Sequence, residues 1–372
     1  MQKIFEMIKN FIILILVFIS LRLNAQNTVY VNSQTELINA IQLSSTQPIN
    51  TIYCLNDFAI DSIINLPGLF KSKTKTIEIT KGSFTCNNCF VRKPTDQAEA
   101  ETWMQTNIRF TDCAFYGKGT GIALDLGAMF GGGATNCFFY NYDIAIVARF
   151  QLNGNYTQNR FSNCAESIRA TIPDWPGGNT TKSCNGLLRL QNRAYNRDSG
   201  RVAFSNYYGS VSYDIMNISE GGSTVYDYYY KGGNTAKNYT NIGSYIEHTV
   251  TGANFKLDIA AGSANIIDVW TQKNATLIDA SNSSPNSQVF IKDIPYLPGQ
   301  TKFKGNGSSV LFNFSNVRYD WNLTSKWIGP IPKYYFGTNS GTLTNQIYPG
   351  QSLRYNSLTL DSLINSFGYI KK

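Results

Sequence analysis

Arginine and carboxylate side chains must carry any chemistry here, because the other usual carriers are scarce. The 372 residues include 1 histidine, His248, so a zinc site built on two or three imidazoles is excluded. Three arginines stand in alternating apolar stretches, Ile146-Val-Ala-Arg149, Ile168-Arg169-Ala170 and Leu188-Arg189-Leu190-Gln191. Asp125, Glu166 and Asp214 lie around them. The guanidinium fork matches a carboxylate in shape and charge, so a row of such arginines suits an anionic polymer such as a uronate-containing glycan. Arg169, Arg189 and Glu166 are the candidate catalytic residues; Asp125, Arg149, Gln191 and Asp214 are candidate substrate contacts. Two irregular insertions, Pro173 to Ser183 and Asn192 to Gly200, flank the stretch that carries Arg189. Loops raised beside a rigid sheet commonly carry function, and Trp175 and Tyr195 within these two are candidates for stacking on sugar rings. The competing reading pairs the arginines with Asp125, Glu166 and Asp214, the charges then serving only to keep an exposed sheet soluble.

The elements that must hold these residues follow from a repeated frame: an aromatic, often Asn two residues on, and Ile or Val seven residues on. It is present as Phe115 to Ile122, Phe139-Tyr-Asn141 to Ile146, Phe161-Ser-Asn163 to Ile168, Phe204-Ser-Asn206 to Val211 and Tyr239-Thr-Asn241 to Ile246. The first three copies start 24 and then 22 residues apart, a period in the solenoid range. No Leu-x-x-Leu-x-Leu pattern accompanies it. Asn tolerates the left-handed backbone, so stacked Asn141 and Asn163 predict a turn ladder. Beyond each turn, apolar residues alternate: Ile122, Leu124, Leu126; Ile146, Ala148, Phe150; Ile168, Ala170, Ile172; Val211, Tyr213, Ile215. Period two is a strand with one face inward. The residues between then face outward: Ala123 and Asp125, Val147 and Arg149, Arg169 and Thr171, Ser212 and Asp214. With a further rung at Leu188 to Gln191, Arg169 and Arg189 are predicted to stack, with Arg149 close by.

Ahead of the repeats, Val29-Tyr-Val31 predicts a short strand, and Ser33 and Glu36 have capping-box spacing before Leu37, Ala40 and Ile41 on one helical face. Such a helix can close the open end of a stacked sheet. With this cap and the repeats, the chain resembles the right-handed parallel β-helix proteins of the pectate-lyase-like superfamily. The expected fold is all-β, a right-handed parallel β-helix with an N-terminal capping helix and a loop-rich C-terminal cap. The resemblance is one of architecture, and no catalytic residue carries over. It implies β-elimination by an arginine or lysine with bound calcium, the one cofactor it brings in; no cluster of carboxylates for calcium is visible, and no metal ligand is assigned. Hydrolysis needs two carboxylates across the scissile bond, and no Asp-Asp dipeptide of the family's hydrolases occurs.

The chain divides into residues 1–25, a signal peptide with an apolar core from Phe11 to Ile19 and cleavage after Ala25; residues 26–295, the β-helix; and residues 296–372, a C-terminal cap or small module of undecided fold. The formal charge of +8 becomes +6 without Lys3, Lys9, Arg22 and Glu6, a mild basic excess that favours acidic partners. The expected location is extracytoplasmic. The partner is an acidic glycan or cell-surface polysaccharide, with no nucleic acid and no stable membrane insertion after cleavage; a homo-oligomer stays open. Seven cysteines leave at least one unpaired. Cys86 and Cys89 predict a local disulfide or buried thiols rather than half a zinc knuckle. Cys113 and Cys137 predict stacked neighbours, either bridged or as buried thiols. The stripe Val225-Tyr-Asp-Tyr-Tyr-Tyr230 is either a sugar grip or a half-buried strand. His248 is predicted to face inward as a core residue, and the sequons at Asn179, Asn217 and Asn274 follow from composition. Besides glycan binding and cleavage, a non-enzymatic adhesin or tailspike-like receptor binder, or a purely structural solenoid, fits these features.

Overall fold

A computed structural model describes residues 27–66, 75–175, 178, 183–232, 237–247, 250–271, 276–285, 287–294, 302–305, 310–315, 327–328 and 334–336. The expected signal segment, His248, Asn179, Asn274 and residues 337–372 lie outside them. No described helix is long and apolar enough to cross a membrane.

The chain winds into a parallel β-solenoid of about 10 turns. A full turn adds one strand to each of three parallel sheets: Asn155–Thr157 to the first, Arg160–Cys164 to the second and Glu166–Thr171 to the third, before Leu187–Leu190 returns to the first. The sheets hold 13, 9 and 11 of the described strands in that order. Each corner needs a residue that can turn the backbone left-handed. At the first corner Asp112, Asn136, Gln158, Gln191 and Met216 have φ between 52° and 57°. At the second, Asn141 (φ 63°) and Asn163 (φ 55°) stack, with Asn163 Nδ2 donating to Asn141 Oδ1 at 2.9 Å, the ladder expected of these asparagines.

Packing inside follows from rings falling on successive turns. Phe115 and Phe139 stack at 4.8 Å, and Phe139 and Phe161 at 5.1 Å, down the inner wall of the second sheet. Truncating one such phenylalanine to alanine costs about 3–5 kcal/mol. The fourth and fifth copies of the frame are not in this column. Phe204 lies on the third sheet beside Ile168, and Tyr239 on the first beside Ser212. The insertion between Thr171 and Leu187 lengthens one turn and shifts the later aromatics out of frame.

The capping helix, Gln34–Leu43, buries Leu37, Ala40 and Ile41 with Val31 and Ile52. Ser33 Oγ accepts from the Glu36 N–H, and Glu36 reaches back to the Asn32 N–H at 2.7 Å. A second helix, Gln97–Trp103, was not expected. Asp96 accepts from the Glu99 N–H at 2.8 Å while Glu99 accepts from the Thr95 N–H, a capping signal that only seven helical residues follow. Cys86 and Cys89 form a local disulfide, whereas Cys113 and Cys137 are free, buried thiols. Past residue 295, Lys302–Lys304 continues the third sheet, and Val310–Ser315 and Tyr334–Phe336 continue the first, so the ladders run on beyond the expected boundary.

Candidate functional site

Strand register decides which charges share a face. On the third sheet Asp125, Val147, Arg169, Ser205, Tyr229, Lys256, Asp279 and Lys304 form one column, each paired with the next. Beside it run Gly127, Arg149 and Thr171, then Tyr207, Lys231 and Asp258. Leu124, Ile146, Ile168 and Phe204 alternate with the first column and sit in the core. Both columns therefore face outward. Ala123 was expected on that face but lies in the core, because the strand bends at the corner where it begins.

Arg189 and Asp214 are not on this face, which corrects the expected arginine row. Arg189 belongs to the first sheet, between Tyr156 and Asp214. Both residues are fully buried inside the solenoid. Arg189 Nε lies 2.6 Å from Asp214 Oδ1, and its Nη1 donates to the Ser205 carbonyl at 2.9 Å. Tyr230 donates to Asp214 Oδ2 at 2.7 Å. Burial works against the Arg189 charge, but Asp214 and Tyr230 outweigh it and hold its pKa above the ordinary value. The apolar alternation of Val211, Tyr213 and Ile215 set the parity one residue off, since here the polar residues fill the interior and Tyr213 is exposed.

Three other expected contacts sit elsewhere. Gln191 is a corner residue whose Oε1 accepts from Gln158 Nε2 at 3.1 Å. Trp175 is buried edge-on against Phe150 at 5.8 Å, clustered with Ala128 and Trp103, so it pins its insertion down instead of offering a ring to a ligand. Tyr195 is exposed, on the second sheet in register with Ser162 and Glu220. The sequon residue Asn217 is buried too, in an internal ladder with Asn192 and Asn159.

What remains on the outward face is brought together tightly. Arg149 grips Asp125 with both arms, at 2.6 and 3.3 Å. Lys93 joins that pair from the previous turn, 3.2 Å from Asp125 and 2.8 Å from Asp174. One step along, Arg169 is bonded to Glu166, whose other oxygen accepts from Ser205 Oγ. Arg201 adds a bidentate contact to Asp143, at 3.0 and 3.1 Å. Next come three phenol rings: Tyr207 and Tyr229 at 5.1 Å, Tyr226 and Tyr229 at 5.7 Å, with Arg169 over Tyr207 at 5.7 Å. Lys256 then lies 3.3 Å from both Asp258 and Asp279, and Lys304 3.6 Å from Asp279. Two arginines thus pair with carboxylates as the competing reading had it, and the third does so in the interior.

The pairs are layered. Side-chain exposure is 37% for Lys93, 29% for Arg169 and 42% for Lys304, against 2% for Asp125, 1% for Glu166 and 14% for Asp279. Carboxylates lie deep and cationic heads lie near water, with Asp143 and Asp174 the exposed acids of these clusters. No group on the face is set up as a neutral-pH base: Glu166 is engaged on both oxygens, and burial, with the Glu166 charge, pushes the Tyr207 phenol up to about 12. Among the described residues no three His, Cys, Asp or Glu side chains come together to hold a metal ion.

Lys93, Arg201, Asp174 and the tyrosine cluster escaped the sequence reading. Of the stripe around Tyr226, both readings hold in part: Tyr228 and Tyr230 are core, whereas Tyr226 and Tyr229 face outward. The signal for Tyr207 was its place two residues beyond Ser205, usable only once register was known. The chain matches no protein-family model and no curated protein.

Proposed function

We propose that this protein is a non-catalytic binder of an extended acidic polysaccharide, in the manner of an adhesin, along the outward face of the third sheet. The observation that carries the reading is the layering of exposed Lys93, Arg169, Arg201 and Lys304 over buried carboxylates, with Tyr207, Tyr226 and Tyr229 between them. Buried acids hold the cations in fixed places, and spare N–H groups face the polymer's carboxylates. Tyrosine rings offer flat apolar surface at low entropic cost for sugar C–H faces. From the turn of Asp125 to that of Lys304 the column crosses seven strand spacings of roughly 4.8 Å, about 34 Å, enough for several sugar residues in line.

Binding is favoured over β-elimination because the face lacks a free base. Polygalacturonate and alginate retention by the full chain tests this, with absorbance near the ultraviolet band of unsaturated uronates followed in parallel. Retention that weakens as salt rises, with no absorbance gain, is expected. Arg169→Ala together with Tyr229→Ala should weaken it by about tenfold or more. A rise in absorbance would replace binding by lyase action, and no retention of any uronate polymer would overturn the proposal.

A further inference from the structure

The outward column does not stop at Asp125. Its next members toward the N-terminus are Val91, paired with Asp125, and Asn65, paired with Val91. These two residues form the floor of a cavity of about 460 Å³. The capping helix walls it on one side with Ile38, Ile41 and Gln42, and the second helix on the other with Glu99 and Trp103. Lys93, which already bridges Asp125 and Asp174 on the binding face, lines the cavity as well. The open face therefore runs without a break into a walled end.

The lining dictates what can enter. Ile38, Ile41, Ile64, Leu66, Val91 and Trp103 supply an apolar interior. The charged groups are committed: Lys93 to its two aspartates, and Glu99 to the Thr95 N–H and hydroxyl at 2.6 and 2.8 Å. An ionised uronate in this space would lose hydration without a free counter-charge, at a cost of several kcal/mol. A sugar whose carboxylate is esterified, or that carries a methyl group, loses little and gains apolar contact. The volume falls within the range of small-molecule sites.

We infer that the cavity is a chain-end pocket that takes an uncharged, methyl-bearing terminal residue of the polysaccharide lying on the third-sheet face. The inference rests on the proposed glycan binding, which it deepens by giving the polymer a direction and an end.

The test uses the full chain with three probes: polygalacturonate, a galacturonate hexamer, and its methyl ester. The ester should bind about tenfold or more tighter than the free hexamer. It should also change the emission of Trp103, a response absent in Trp103→Phe. Val91→Phe, which fills the floor, and Gln42→Trp, which narrows the cavity from the exposed helix side, should each abolish that preference while polygalacturonate retention stays within about twofold. Equal affinity for ester and acid, or a preference that survives both variants, overturns the pocket and leaves strand-face binding standing. Absence of polygalacturonate retention by the unaltered chain overturns the strand-face reading, and the pocket as its terminus falls with it.

Discussion

Replacing Asp214 by leucine tests the inside-out placement of Arg189. In the folded protein Arg189 and Asp214 are both fully buried, with Nε and Oδ1 2.6 Å apart, and the aspartate also accepts from Tyr230. Removing the acid alone leaves a guanidinium in the interior, where it cannot give up its proton to escape. The expected cost is about 3–5 kcal/mol, against about 0–1 kcal/mol for an exposed pair. With a urea m-value of about 3 kcal/mol/M, the midpoint should fall by about 1–1.7 M. The triple change Arg189→Met, Asp214→Leu and Tyr230→Phe removes the pair and the hydroxyl that depends on it, and should return to within about 2 kcal/mol of the unaltered protein. Equilibrium urea unfolding followed by circular dichroism reads both. A single substitution costing under about 1 kcal/mol would mean that water reaches Asp214, and the interior parity argued above would fail. Glycan retention adds a second reading: the folded triple variant should bind as well as the unaltered chain, since Arg189 is not on the binding face.

Further outcomes follow from the same packing. Burial pushes the Cys54 thiol up to about 12 and those of Cys164 and Cys184 to about 11, so a thiol reagent at about pH 8 should label no cysteine in the native protein, the five free ones in urea and all 7 after reduction. Native labelling would show that the interior opens. Asn192 sits between Asn159 and Asn217 inside the first corner and donates to the Tyr156 carbonyl at 2.9 Å. Asn192→Leu should cost about 2–4 kcal/mol in urea unfolding by stranding these partners, and a cost near zero would deny the ladder a structural role. Burial tends to raise the Asp279 pKa, but two bonds from Ser281 and the charges of Lys256 and Lys304 outweigh it and hold the carboxyl below its usual range. Its stabilising contribution is thus present above about pH 3.9, the unfolded value, and is lost as pH falls through the lower folded value. The acid limb of stability against pH should flatten in Asp279→Asn, and an unchanged limb would contradict the pairing.

Part of the site was legible before the fold was known. Asp125, Arg149, Glu166 and Arg169 were named from residue type and local alternation, and all four meet on one face because each lies in the stretch where the repeat is regular. Arg189, Asp214, Trp175, Tyr195 and Gln191 were not legible in the same way. Their positions depend on how many residues the insertion before Leu187 consumes and on which of three sheets receives the next strand.

By itself the sequence determined a parallel solenoid, because ring, turn asparagine and alternating strand recur with a short period and stacking is the only way to bury each inner stripe. It also determined the capping helix, through Ser33 and Glu36. Only the tertiary structure decided parity and partners. A side chain's face depends on register with strands a full turn away, and a polar residue goes inside when another turn supplies its counter-charge. Asp214 is inside because Arg189 stacks on it, a fact that no window of neighbouring residues contains.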